Sequence, residues 1–163
     1  MFRRWPKIFI LLVFWSVLNP VFGFSEPIIM RLALQTPEKN ELNRNVMYFK
    51  DLVELNSNGA IKVEVYHSGE VTSDKEMPIA VGNGLLEAGV VSLNRYYNEI
   101  PAIDIFFQPF LLNSSKKLES STRKNSIIRD LIDKAIEKTG SSVLWWQPYG
   151  SIVFVSDSEP ILT

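Results

Sequence analysis

The sequence predicts an α/β fold built on a mostly parallel sheet flanked by helices on both faces. Three observations carry that expectation. Strand-length apolar runs alternate with stretches whose apolar residues recur at helical spacing, the pattern of successive β-α-β units. Turn-forming residues separate these runs: Asn58-Gly59, Ser68-Gly69, Gly82-Asn83-Gly84 and Gly140. Setting aside an amino-terminal leader leaves 140 of the 163 residues, enough for one domain with its own core.

The elements follow in chain order. "IIMRLALQ" (28–35) is a mostly apolar run, predicted as a strand ended by Thr36-Pro37, with Thr36 a candidate helix cap and Pro37 suited to the first helical position. Leu42, Val46, Phe49 and Val53 fall on one face of an amphipathic helix, closed by Gly59 as its left-handed terminator. "AIKVEVYH" alternates strictly, with Ile61, Val63 and Val65 inward, and predicts a half-buried strand. Ser73-Asp74-Lys75-Glu76 reads as a capping box opening a short helix that runs out in "VGNG". "LLEAGVVSL" (85–93) predicts a buried strand, broken by the polar "NRYYNE". "IPAIDIFFQPFLL" is an apolar stretch framed by prolines, and "NSSKKLESSTRKNS" a solvated connector or small helix. Ile127, Ile128, Leu131, Ile132, Ala135 and Ile136 mark a second strong amphipathic helix, stopped by Gly140. "SSVLWWQ" (141–147) and "SIVFVS" (151–156) predict two final strands, with one of Trp145 and Trp146 in the core.

The leader itself has the build of a secretory signal. Arg3, Arg4 and Lys7 precede an eleven-residue apolar stretch, Ile8 to Leu18, and Pro20 to Gly23 supply a break and a small-residue cleavage site. The stretch falls short of the roughly 20 apolar residues of a spanning helix. Cleavage is expected after Gly23, so that the exported chain begins at Phe24 in the periplasm. Without the leader, 14 Lys and Arg face 18 Asp and Glu, a net charge of about −4. Such a chain has no basic field to draw nucleic acid or anionic lipid. It also has no cysteine, which excludes a disulfide scaffold, a Cys-containing zinc site, a thiol nucleophile and a lipoprotein anchor.

Catalytic patterns are absent from the sequence. No nucleophile elbow, phosphate-binding Gly loop or zinc-binding helix motif occurs. His67 is the only histidine, and at a strand end it reads as a packed or turn-bonded side chain. Asp74 and Glu76 read as first-turn acids that favour the helix dipole. No catalytic residue, metal ligand or cofactor is expected. What remains is a set of polar groups at strand ends, where open α/β sheets bind ligands. Gln35 ends the first strand; Ser92, Asn94, Arg95 and Tyr96 follow the third; Trp146, Gln147 and Tyr149 follow the fourth. Arg95 is set among apolar and aromatic neighbours, a place suited to meeting an anion.

From about Ile28 to Thr163 the order of "VYHSG", "SDKEM", "VGNGLLEAGVVS" and "IPAIDIFFQPFLL" resembles the extracytoplasmic solute-binding proteins of TRAP transporters, the dicarboxylate-binding family 7. The resemblance implies a type II periplasmic-binding-protein fold, in which two α/β lobes close over a small organic acid. It implies TRAP membrane permease subunits as partners. It also makes "SEPILT" the start of the linker into the second lobe, so that 24–163 is expected to be the first lobe, truncated at the crossing strand. Two departures stand out. Ile152 occupies a position where many members have arginine, and His67 stands where a Pro-Ser-Gly turn has its proline. By position, Gln35, Ser92, Asn94 and Arg95 are the residues the resemblance offers for ligand binding. A stand-alone exported enzyme using Asp74, Glu76, His67 and Arg95, and a non-functional remnant, are the alternatives.

Overall fold

A computed structural model describes residues 26–150 of the chain. The leader, the predicted strand 151–156, Ile152 and "SEPILT" lie outside the described residues. Three strands, β1 (Ile28–Ala33), β2 (Ile61–Tyr66) and β3 (Ala88–Gly89), form one parallel sheet in the order β2-β1-β3. Helices α1 (Asn43–Asn56) and α2 (Met77–Gly82) connect them, and α3 (Ser115–Thr122) and α4 (Ile127–Glu137) follow. The parallel α/β architecture is as the sequence predicts.

Side-chain alternation along β1 builds a core on each face. Leu32 and Leu34 pack with Val46 of α1, Val63 and Ala88 on one side. Ala33 packs with Met77 and Ala80 of α2 and Leu86 on the other. A third cluster lies beyond β3, where Tyr96, Ile100 and Ile103 meet Ile132 and Ile136 of α4.

β2 is an edge strand, yet its outward backbone groups at Ile61 and Val63 are covered. Ser57 Oγ accepts from Ile61 N–H at 3.1 Å, Glu54 Oε1 accepts from Val63 N–H at 2.9 Å, and Lys50 Nζ donates to the Val63 carbonyl at 2.6 Å. Side chains of α1 and its terminus thus take the place of a neighbouring strand and hide an edge that invites pairing with other chains. The same bonds hold the Glu54 carboxyl below its usual range, through Lys50 first and the Val63 amide second.

Several local expectations are corrected. Thr36 does not cap a helix at Pro37: α1 begins at Asn43, and 37–42 form tight turns. The Thr36 hydroxyl turns inward to Asn43 Oδ1, and the Asn43 amide donates to the Pro37 carbonyl at 2.7 Å, so this buried pair spends the capping groups. The predicted strand 85–93 shrinks to Ala88–Gly89, extended by one bond from Val90 N–H to the Ala33 carbonyl. On its amino side, Leu85 and Leu86 N–H donate to Ala80 at the end of α2, and Glu87 takes the Arg31 N–H with its side chain. On its carboxyl side, the chain turns at Ser92 into a 3-10 turn over Leu93–Tyr96, followed by another over Pro101–Phe106. The capping box is half made: Glu76 N–H donates to Ser73 Oγ, but the Ser73 hydroxyl donates to the Glu76 carboxylate, and α2 proper starts at Met77.

Among the described residues, 141–147 pairs with no strand. Instead it straddles two clusters: Trp145 packs tilted against Phe49 at 5.2 Å between ring centroids and Trp146 against Phe106 at 5.3 Å, so both tryptophans are packed rather than one. Asp133 of α4 fixes Trp146 by accepting from its Nε1 at 2.8 Å, and Arg129 pairs with Asp133 beneath the same ring. The connector is helical at α3, capped by Ser114, and α4 is capped by Ser126.

Candidate functional site

The topology determines which side chains meet. β2 and β3 lie on opposite sides of β1, so the chain leaving β2 must cross the carboxyl end of β1 before α2 returns it to β3. Residues 67–76 make that crossing, and they gather the polar groups of all three strand ends. Gln35, just past β1, donates from Nε2 to the Thr72 carbonyl at 2.9 Å. Gly69, at φ +72°, lets the Gln35 amide approach so closely that a Cβ there would lie 2.7 Å from its oxygen. Further along, Asp74 Oδ2 accepts from Arg95 Nε at 2.5 Å, and its Oδ1 lies 3.5 Å from Ser92 N–H.

Arg95 is therefore not an isolated cation, as its sequence neighbours suggest. It is ion-paired with Asp74, which is 19% exposed, while the Arg95 side chain itself remains 40% exposed. The contact uses Nε, one edge of a planar fork that carries five donors. The Asp74 carboxylate, read from sequence as a helix-dipole acid, instead joins the crossing segment to the turn after β3.

The other candidates divide. Ser92 and Asn94 are exposed in the same turn, their carbonyls accepting from Arg95 and Tyr97 N–H. Tyr96 is 7% exposed and belongs to the third core cluster. Burial pushes its phenol up, opposed by the Ser141 hydroxyl. Gln147 accepts from Asn45 in the first turn of α1 at 3.0 Å and from Trp145 Nε1 at 3.4 Å. It thus stands at the same sheet edge, since α1 starts where β1 ends. Tyr149 is 72% exposed.

Three groups at this edge are given other roles or none by the sequence: Thr36 as a helix cap, Asp74 as a helix-dipole acid or a group of the enzyme alternative, and Asn43 none. Asn43 Nδ2 also lies 3.3 Å from His67 Nδ1, which makes His67 the turn-bonded side chain the sequence suggests. The crossing rule for a β2-β1-β3 sheet is the signal that points to Asp74, but it needs the strand order first. Among the described residues, no group of three or more His, Asp or Glu comes together to hold a metal ion.

The class defined by this geometry is an α/β lobe with polar side chains collected at the carboxyl edge of a parallel sheet. Residues 32–163 match the profile of the bacterial extracellular solute-binding proteins of family 7, and the chain belongs to that family. Its fold is that of a part of solved TRAP solute receptors. A Bordetella pertussis extracytoplasmic solute receptor, DctP7, binding pyroglutamic acid, is 26% identical with a TM-score of 0.60, over 69% of this chain and 36% of its own. The sugar acid binding protein DctPAm of Advenella mimigardefordensis strain DPN7T, in complex with galactonate, is 20% identical with a TM-score of 0.65, over 71% and 36%. A Pseudomonas aeruginosa PAO1 TRAP periplasmic solute-binding protein with bound L-malate is 20% identical with a TM-score of 0.62, over 73% and 41%. The chain therefore spans little more than a third of the length of these receptors. No curated protein matches it.

Proposed function

We propose that this chain captures small organic acids in the periplasm for a TRAP-type transporter, with Arg95 receiving the ligand carboxylate. The observation that carries this is Arg95 itself, a partly exposed guanidinium pinned by one edge at the carboxyl end of the sheet. A guanidinium fork matches a carboxylate in two parallel charge-assisted bonds. Gln35, Ser92, Asn94 and Gln147 line the same edge with neutral donors and acceptors, which suit the hydroxyl and amide groups of such acids. Family membership and the organic acids held by the three receptors above support the ligand class. The permease partners follow from the TRAP class, and export follows from the leader. Mass spectrometry of the periplasmic product is expected to find Phe24 at the amino terminus; an intact Met1 there contradicts cleavage.

The described residues supply one wall of contacts. Affinity in the millimolar range is expected, about 4 kcal/mol, rather than the ~8 kcal/mol of a micromolar site. Titration of the chain with pyroglutamate, galactonate and L-malate, followed by NMR, tests this. Binding weakened about tenfold or more by Arg95→Ala is the expected result, as befits a lost charge-assisted bond. An unchanged dissociation constant removes Arg95 from the site, and no response to any acid contradicts the ligand class.

A further inference from the structure

The Asp74 carboxylate does something the cation beside it does not require. An arginine that only grips an anion is weakened by a carboxylate at its side, because part of its charge is already matched. Asp74 is nevertheless held there by the crossing segment, which Gln35 anchors through Thr72. Its two oxygens are used unequally. Oδ2 accepts from Arg95 Nε at 2.5 Å, whereas among the described residues Oδ1 has only the long 3.5 Å approach of Ser92 N–H. A carboxylate oxygen accepts two hydrogen bonds, so Oδ1 retains capacity for a second donor.

We propose that Asp74 is a positioning and selectivity residue: it orients the Arg95 fork and accepts a hydroxyl or N–H carried on the carbon next to the bound carboxylate. This rests on the organic-acid reading above and narrows its ligand class. The pair is neutral in sum and presents a donor fork beside an acceptor oxygen. It is complementary to α-hydroxy and α-amido carboxylates, which offer an anionic acceptor beside a donor. A bare dicarboxylate such as succinate meets the fork equally well but brings nothing for Oδ1. Any second negative charge placed near Asp74 is repelled. Selectivity of this kind comes from an acceptor left unpaired by the wrong ligand.

L-malate and succinate differ by one hydroxyl and provide the test. The chain is titrated with each, and the Arg95 Nε–H signal is followed by NMR in the parent and in Asp74→Asn. The parent is expected to bind malate about tenfold tighter than succinate, with the Nε–H signal moving. An asparagine that keeps its oxygen on Arg95 Nε presents an NH2 donor where Oδ1 stood, so no acceptor there meets a ligand hydroxyl or N–H. In Asp74→Asn the malate-to-succinate ratio therefore falls towards one, and the Nε–H exchanges faster with water. Equal affinities in the parent overturn the proposal without recourse to any variant. So does a preference that survives in a folded Asp74→Asn chain. If both acids move Arg95 equally, the organic-acid reading stands and only the selectivity falls; if neither moves it, both fall together.

Discussion

Arg31 and Glu87 show how one residue pair ends a strand. Arg31 gives its N–H, its Nε and one terminal nitrogen to Glu87 and a further bond to the Leu85 carbonyl, so the ladder between β1 and β3 begins only at Leu32 and Ala88. These bonds hold the Glu87 carboxyl at about 2, well under its ordinary 4.5, with the Arg31 side chain the leading cause and its backbone N–H the next. A carboxyl depressed in the folded state stabilises the fold above its unfolded value, and that contribution is lost as pH falls from about 4.5 through about 2. The pair is 41% and 36% exposed, so solvent screening keeps the effect small. Glu87→Gln should flatten the fall of the thermal midpoint across that window, measured by circular dichroism. Equal slopes in parent and variant would contradict the assignment. None of this is legible in the run "LLEAGVVSL", which reads as one apolar strand because pattern cannot show a side chain replacing a ladder bond.

At the scale of elements, the helices with an apolar stripe at helical period were legible and the short connections were not, although Ile127 and Leu131 of the α4 stripe stay exposed. The Ile127–Ile136 stripe predicts α4, because its face is set by period and its end by Gly140, while the Ser126 cap at its start is seen only in the structure. The start of α1 was misplaced because Thr36 and Asn43 satisfy each other seven residues apart, which no local cap rule includes. Close approach of α2 and α4 also depends on a detail invisible in sequence. A Cβ on Gly82 would sit 2.4 Å from the Thr139 carbonyl oxygen, backbone against side chain with nothing flexible to yield. Gly82→Ala should cost about 1–3 kcal/mol in urea unfolding; a stability equal to the parent's would show that the two helix ends can part freely. The edge of β2 offers a separate test. Glu54→Ala uncovers the Val63 N–H, whose hydrogen exchange should accelerate, while Lys62, facing β1, stays protected. Unchanged exchange at Val63 would mean that the side-chain cover is incidental.

For the whole molecule, the sequence pattern was enough to reach the α/β class and the family, and the carboxyl-edge rule located Gln35, Ser92, Asn94, Arg95 and Gln147 on one side. It did not separate Tyr96, whose aromatic ring the third cluster absorbs, from Arg95 beside it, because a one-residue step in a 3-10 turn changes inside to outside. Nor did it pair Arg95 with Asp74, since that contact exists only once β3 lies across β1 from β2. The central claim is that a small organic acid binds at the carboxyl edge of this sheet, over the segment that crosses β1. Backbone amide shift mapping of the chain with L-malate tests it most directly. The predicted shifts fall at Gln35, Thr72, Asp74, Ser92 and Arg95, with Ala60 and Leu85 at the opposite edge unmoved; shifts confined to that opposite edge, or none at any residue, would contradict it.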